Sequence, residues 1–126
     1  MRNKFLDTGE RGYHPLRKMK VIFSGLRFAM IDFSVSYKFV LSILVIVPSL
    51  LLHQWVDTSI IILSTAMMLT AEMFNTVVEA MCDYIQEAFD PKIGMIKDVA
   101  AAATGIAILA WIIVMGVETY ELFYKL

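Results

Sequence analysis

The sequence predicts an all-α integral membrane protein, with an amphipathic surface helix followed by three membrane-spanning helices. Three observations predict it. Hydrophobic residues make up 59% of the 126, against about 45–50% in soluble domains, and the mean hydropathy is +0.69. Uncharged or nearly uncharged runs recur at 35–52, 60–71 and 99–117. Eight of the eleven Lys and Arg lie at or before Lys38, the asymmetry expected when one end of a membrane chain stays in the cytoplasm.

The length suggests a single domain over 1–126. A net charge of -1 says nothing about partners. Cys82 is the only cysteine, so no intrachain disulfide forms, and a packed or lipid-facing thiol is expected. His14 and His53 have no metal-ligand neighbours at usual spacing, and P-loop, Rossmann and nucleic-acid signatures are absent. The first twenty residues are polar and basic, and Asp32 interrupts the apolar stretch after them, so no cleavable signal peptide is expected.

Residues 1–14 are polar and contain Gly9 and Gly12, as in a surface arm. Pro15 suits the first position of a helix over 15–32. Leu16, Met19, Phe23, Leu26 and Met30 follow 3-4-3-4 spacing, with Arg17, Lys18, Lys20, Ser24 and Arg27 to the side. An apolar stripe flanked by basic residues suits a helix lying in the interface of an anionic leaflet.

The first span is expected over 35–54, with its apolar run from Val35 to Leu52 just long enough to cross. Its one charge, Lys38, lies near the start, where it can snorkel to the interface. Pro48 falls inside this helix, which membrane helices tolerate. Trp55 is placed as an interface anchor, and Asp57, Thr58 or Ser59 as the cap of the next helix. That second span is expected over 58–89, extending into the cytoplasm. Asp90 and Pro91 form an N-cap and first-turn proline for a third span over 91–120. Asp98 shares a face with Ala101, Ala102 and Gly105, and is expected to point into the bundle with them. Glu118 and Glu121 are expected to be solvated at the far interface. The positive-inside rule puts the N-terminus and the second loop, which has Lys92 and Lys97, in the cytoplasm and the C-terminus outside.

The segment that asks for an explanation is AEMFNTVVEAMCDYIQEAFDPKIGMIKD, from Ala71 to Asp98. Glu72, Asn75, Glu79 and Asp83 are spaced 3, 4 and 4 apart and fall within an arc of roughly 80° on a helix. Counted from Ile60, Glu72 lies about 18 Å and Asp83 about 35 Å down the helix. The stripe thus descends through the inner leaflet to the headgroup level. Intramembrane carboxylates face a protein interior or a wet cavity and mark a functional site. Phosphoryl transfer fits: magnesium takes few carboxylates plus phosphate oxygens, and Glu79 and Asp83 could serve it. Lys97 could meet a phosphate. Glu72 sits deepest, where a lipid hydroxyl would arrive and where burial suits a carboxylate to general-base duty. Asn75 could orient either partner. A carboxylate-lined proton or ion path, or a stripe that holds subunits together, accounts for the same residues.

The pattern A-E-x-x-N-T-x-x-E-x-x-x-D, followed by K-D-x-x-A-A-A, resembles the signature of the small prokaryotic diacylglycerol kinases, which include undecaprenol kinases. Gly25-Leu26-Arg27 in the basic amphipathic start, and the three spans after it, are similar as well. The resemblance implies a homotrimer with sites shared between neighbours, in the bacterial inner membrane. It implies transfer of the ATP γ-phosphate to a membrane lipid alcohol, diacylglycerol or undecaprenol, at the cytoplasmic surface with Mg2+. It makes Glu72 the general base, Asn75 its companion amide and Glu79 a metal ligand, and puts Asp83, Lys97 and Asp98 around the nucleotide. A second metal-binding glutamate would fall at Phe33, so Asp32 is the adjacent carboxylate that would replace it. The aromatic-His pair of the second loop reads Phe89-Asp90, leaving Phe89 to stack on the base and Asp90 to cap a helix. A catalytically silent lipid- or nucleotide-binding relative is the alternative.

Overall fold

The computed structural model describes residues 14–86, 88 and 90–125. The expected N-terminal arm, apart from His14, and Phe89 lie outside the described residues. Four helices follow in order: α1 (Pro15–Met30), α2 (Phe33–Leu51), α3 (Trp55–Ile85) and α4 (Pro91–Lys125). No strand occurs among the described residues. The chain divides into two compact units between Ser36 and Tyr37.

The first unit contains α1. Pro15 starts it, as proline at a first helical position should. It ends at Met30, two residues short of the sequence expectation, because Asp32 starts the next helix: its Oδ1 accepts the Ser34 N–H at 2.9 Å. No residue of α1 is buried, and Leu16, Met19, Phe23 and Leu26 stay exposed along the stripe that the periodicity marks.

The second unit holds α2 from Tyr37 onward, α3 and α4; the three helices are each long and apolar enough to cross a bilayer. At about 1.5 Å per residue α3 and α4 exceed the roughly 30 Å hydrocarbon layer, and the uncharged run 99–117 is the spanning part of α4. The loop between α2 and α3 is tight. Gln54 N–H bonds to Ser49 O and His53 N–H to Leu50 O, both at 3.0 Å, with His53 at φ 57. That is a Schellman ending. It starts α3 at Trp55, so Asp57, Thr58 and Ser59 are inside the first turn and do not cap it. The Thr58 hydroxyl instead donates to Gln54 O at 2.7 Å and lies 2.5 Å from Ser49 Oγ, tying α2 to α3.

The other end of α3 also differs. It stops at Ile85, with Gln86 extended, rather than continuing to residue 89. Asp90 caps α4 by accepting the Lys92 N–H at 2.8 Å, as its place before Pro91 predicts. α4 then runs through the whole described C-terminal segment to Lys125, past the expected end at 120.

The buried side chains of these helices fall on seams at helical spacing. Thr58, Ile61, Thr65, Met68 and Glu72 are buried on α3 at 3-4-3-4 spacing. Thr104, Trp111 and Glu118 are buried on α4 at sevens, and Val35, Lys38, Ser42 and Ser49 on α2. Such heptad-like seams favour small crossing angles. Most of these side chains are polar. Lipid already solvates the outer apolar face, so the interior is where polar groups find partners. The Trp111 indole donates to Ser42 Oγ at 2.8 Å, and Thr104 Oγ1 donates to Ala71 O at 3.2 Å.

Candidate active site

Glu72 stands where the buried seam of α3 meets the acidic stripe. It is 8% exposed, and its Oε1 accepts from Lys38 Nζ at 2.5 Å; Lys38 is itself 5% exposed. This corrects the expectation that Lys38 snorkels away. The hairpin explains the pairing. Its turn at 52–54 sets Ser49 beside Thr58, and about three helical turns back along α2 and about four along α3 it brings Lys38 to Glu72. A lone buried carboxylate or ammonium in a span is costly, and each removes the other's isolation.

One turn on, Asn75 is half-buried. Its Nδ2 donates to Glu79 Oε1 at 3.2 Å, while its Oδ1 is buried without a hydrogen-bond partner. Glu79 and Asp83 are exposed. The stripe therefore grades from a buried, ion-paired carboxylate to open ones within roughly 16 Å of helix rise. At its open end Asp83 accepts from Lys97 of α4 in an ion pair, so Asp83 and Lys97 are brought together across the loop as a pair.

The remaining sequence candidates have surroundings of their own. Asp98 is exposed, as are Ala101, Ala102 and Gly105. The expectation that they point into the bundle is corrected: α4 turns Thr104 toward α3, and the Asp98 face lies away from it. Asp32 serves α2 as its cap, and Phe33 beside it is exposed. Phe89 is outside the described residues. Glu118 departs from its expected solvation too: it is buried, within a three-carboxylate group with Asp57 and Glu121, where Lys125 reaches Asp57 at 3.4 Å and Glu121 at 3.9 Å.

The model of the prokaryotic diacylglycerol kinase family matches residues 20–118. The chain belongs to the prokaryotic diacylglycerol kinase family. No curated protein and no solved structure matches it. The match spans α1 from Lys20 onward and nearly all of the three spanning helices, so the acidic stripe of α3 lies inside a lipid-kinase family domain. Membership makes this a membrane protein of a lipid kinase family.

A kinase family implies a divalent metal, and the donor set here suits magnesium. That ion takes one or two carboxylates, waters and substrate phosphates rather than an all-protein cage. Glu79 is an exposed carboxylate, and next to it the Asn75 oxygen is buried and unpartnered, a donor that wants either a cation or a hydrogen-bond donor. Sequence reasoning missed Lys38 as part of this site. The signal was present: Val35, Lys38, Ser42 and Ser49 sit at 3, 4 and 7, a seam and not a lipid-facing scatter.

Proposed function

We propose that this chain phosphorylates a membrane lipid alcohol, diacylglycerol or undecaprenol, with ATP and Mg2+ at the cytoplasmic face of a bacterial inner membrane. The observation that carries the reading is the gradient along α3, from buried Glu72 to open Glu79 and the Asp83–Lys97 pair, within a lipid kinase family domain. A lipid hydroxyl arrives from the apolar side and a nucleotide from the wet side, and only a graded stripe serves both.

In this reading the acceptor hydroxyl donates its hydrogen bond to Glu72, and Asn75 steadies the approach. The hydroxyl oxygen forms a bond to the γ-phosphorus. The bond from that phosphorus to the β–γ bridging oxygen breaks, with its electron pair leaving on ADP. The hydroxyl proton passes to Glu72. Glu79 and Asn75 would hold Mg2+; when bound, the ion offsets charge on the phosphate oxygens. Lys97 attracts phosphate while Asp83 keeps it aimed, and Asp98 and Phe89 complete the nucleotide side. The chain works as a homotrimer with its N-terminus in the cytoplasm, where the basic face of α1 meets anionic headgroups.

ATP consumption by the purified protein in mixed micelles with Mg2+ tests this, offering diacylglycerol and undecaprenol separately. Turnover on one lipid, absent in Glu79→Gln, is expected. Unchanged turnover in Glu79→Gln would sink the assignment of that residue. A second reading, a silent lipid- or nucleotide-binding relative, is favoured by Phe33 at the place of an expected glutamate; it predicts ATP binding without turnover on either lipid.

A further inference from the structure

Lys38 has no place in the chemistry described so far, yet it is among the most enclosed charges of the second unit. We propose that Lys38 is a positioning residue for phosphoryl transfer: its ammonium fixes Glu72 Oε1, so that Oε2 is the oxygen presented to the acceptor hydroxyl. The inference rests on the reading of Glu72 as the group that receives that hydroxyl proton.

The geometry limits what else Glu72 can answer to. From α2 it meets Lys38, whose Nζ also lies 5.3 Å from the Tyr37 ring. From α4 the nearest polar group bonded to this stretch is the Thr104 hydroxyl, on Ala71 O. No charged side chain of α4 bonds to either member among the described residues: Asp98 is exposed, and Lys97 is taken by Asp83. On α3 itself, Glu79 and Asp83 lie two and three turns further down. Among the described residues, Lys38 is the ammonium bonded to Glu72.

Its own position is fixed. Ser42 Oγ donates to Lys38 O at 2.9 Å and accepts from the Trp111 indole at 2.8 Å. The backbone that carries Lys38 is thus tied to α4, and its ammonium to α3. Phosphoryl transfer passes through a loose transition state in which positioning outweighs covalent assistance. Holding the acceptor oxygen in line is worth more than proton affinity when a displacement near 1 Å can cost about 100-fold in rate. Removing the ammonium leaves Oε1 without the partner that fixes it.

The test uses the full chain in lipid micelles, comparing Lys38→Met, Lys38→Arg and wild type. Lys38→Met is expected to lower kcat about 100-fold with KM for ATP and lipid unchanged within about twofold, and Lys38→Arg to recover most of the loss. Infrared difference spectra read the same claim without turnover. The carboxylate stretch that Glu72→Gln removes is expected to shift in Lys38→Met and to move back toward its wild-type position in Lys38→Arg. Wild-type kcat in Lys38→Met, an arginine no better than methionine, or an unshifted stretch would each overturn the proposal. If Lys38→Met does not fold, Lys38→Gln keeps a polar group without the ammonium and is expected to lower kcat and shift the stretch in the same direction. If wild type phosphorylates no lipid, the kinase reading fails, while the infrared shift still decides whether Lys38 holds the Glu72 carboxylate.

Discussion

Thr65 lies on the same seam as Glu72, 6% exposed, and its Oγ1 has no hydrogen-bond partner. Threonine in a helix usually returns its hydroxyl to a carbonyl of the preceding turn, as Thr58, Thr70 and Thr76 do here. A buried hydroxyl left unmade costs about 1–3 kcal/mol, so Thr65→Val, equal in shape, should stabilise the protein by about 1 kcal/mol in denaturant titrations in micelles. Glu118 is the charged counterpart: a buried carboxylate with Asp57 and Glu121 close by and Lys125 shared among them. Glu118→Gln keeps the shape and removes like-charge repulsion, and a gain of at least about 0.5 kcal/mol is expected in the same titration. At this scale the acidic stripe was legible because its spacing is a one-dimensional fact. Lys38 and Glu118 were not, because each was judged by its place at the edge of an apolar run. What decides their fate is the partner that the hairpin or α4 brings level with them.

Helix number and order were readable from hydropathy alone, and their ends were not. Asp57, Thr58 and Ser59 are the right residue types for an N-cap, yet the end of α2 dictates where α3 begins. The Schellman bonds at Ser49 and Leu50 leave room only for a start at Trp55. That ending sets His53 in the left-handed region at φ 57, a conformation that costs a non-glycine residue roughly 1–2 kcal/mol. Glycine gives back part of that as unfolded-chain entropy, about 0.5–1 kcal/mol. His53→Gly should therefore stabilise the α2–α3 hairpin by roughly 0.5–1 kcal/mol, seen as a raised unfolding midpoint with turnover unchanged. Loss of stability would mean that the imidazole, 5.7 Å from the Trp55 ring, contributes more than the backbone strain removes.

For the molecule as a whole, the single chain buries its polar seam but leaves a line of small residues headed by Asp98 uncovered. Asp98, Ala101, Ala102 and Gly105 share one exposed face of α4. A charge at the base of a span is stable against water or protein, not lipid, and small residues let another helix backbone approach closely. This is the surface that the proposed homotrimer would cover. Gly105 gives a clean probe, because a Cβ added there meets nothing within 4 Å in its own chain. Gly105→Leu should thus spare the α2–α3–α4 packing and act only where a second copy approaches. The expected result is a wild-type mass of three chains in detergent, by light scattering with the detergent subtracted, and a variant whose association is weaker by about tenfold or more, about 1.4 kcal/mol. Helicity should be the same in both. If wild type has the mass of one chain, the trimer is wrong and this face meets lipid or another partner. If Gly105→Leu keeps full association, the copies meet elsewhere on the bundle, and the exposed line on α4 belongs to the nucleotide side through Asp98.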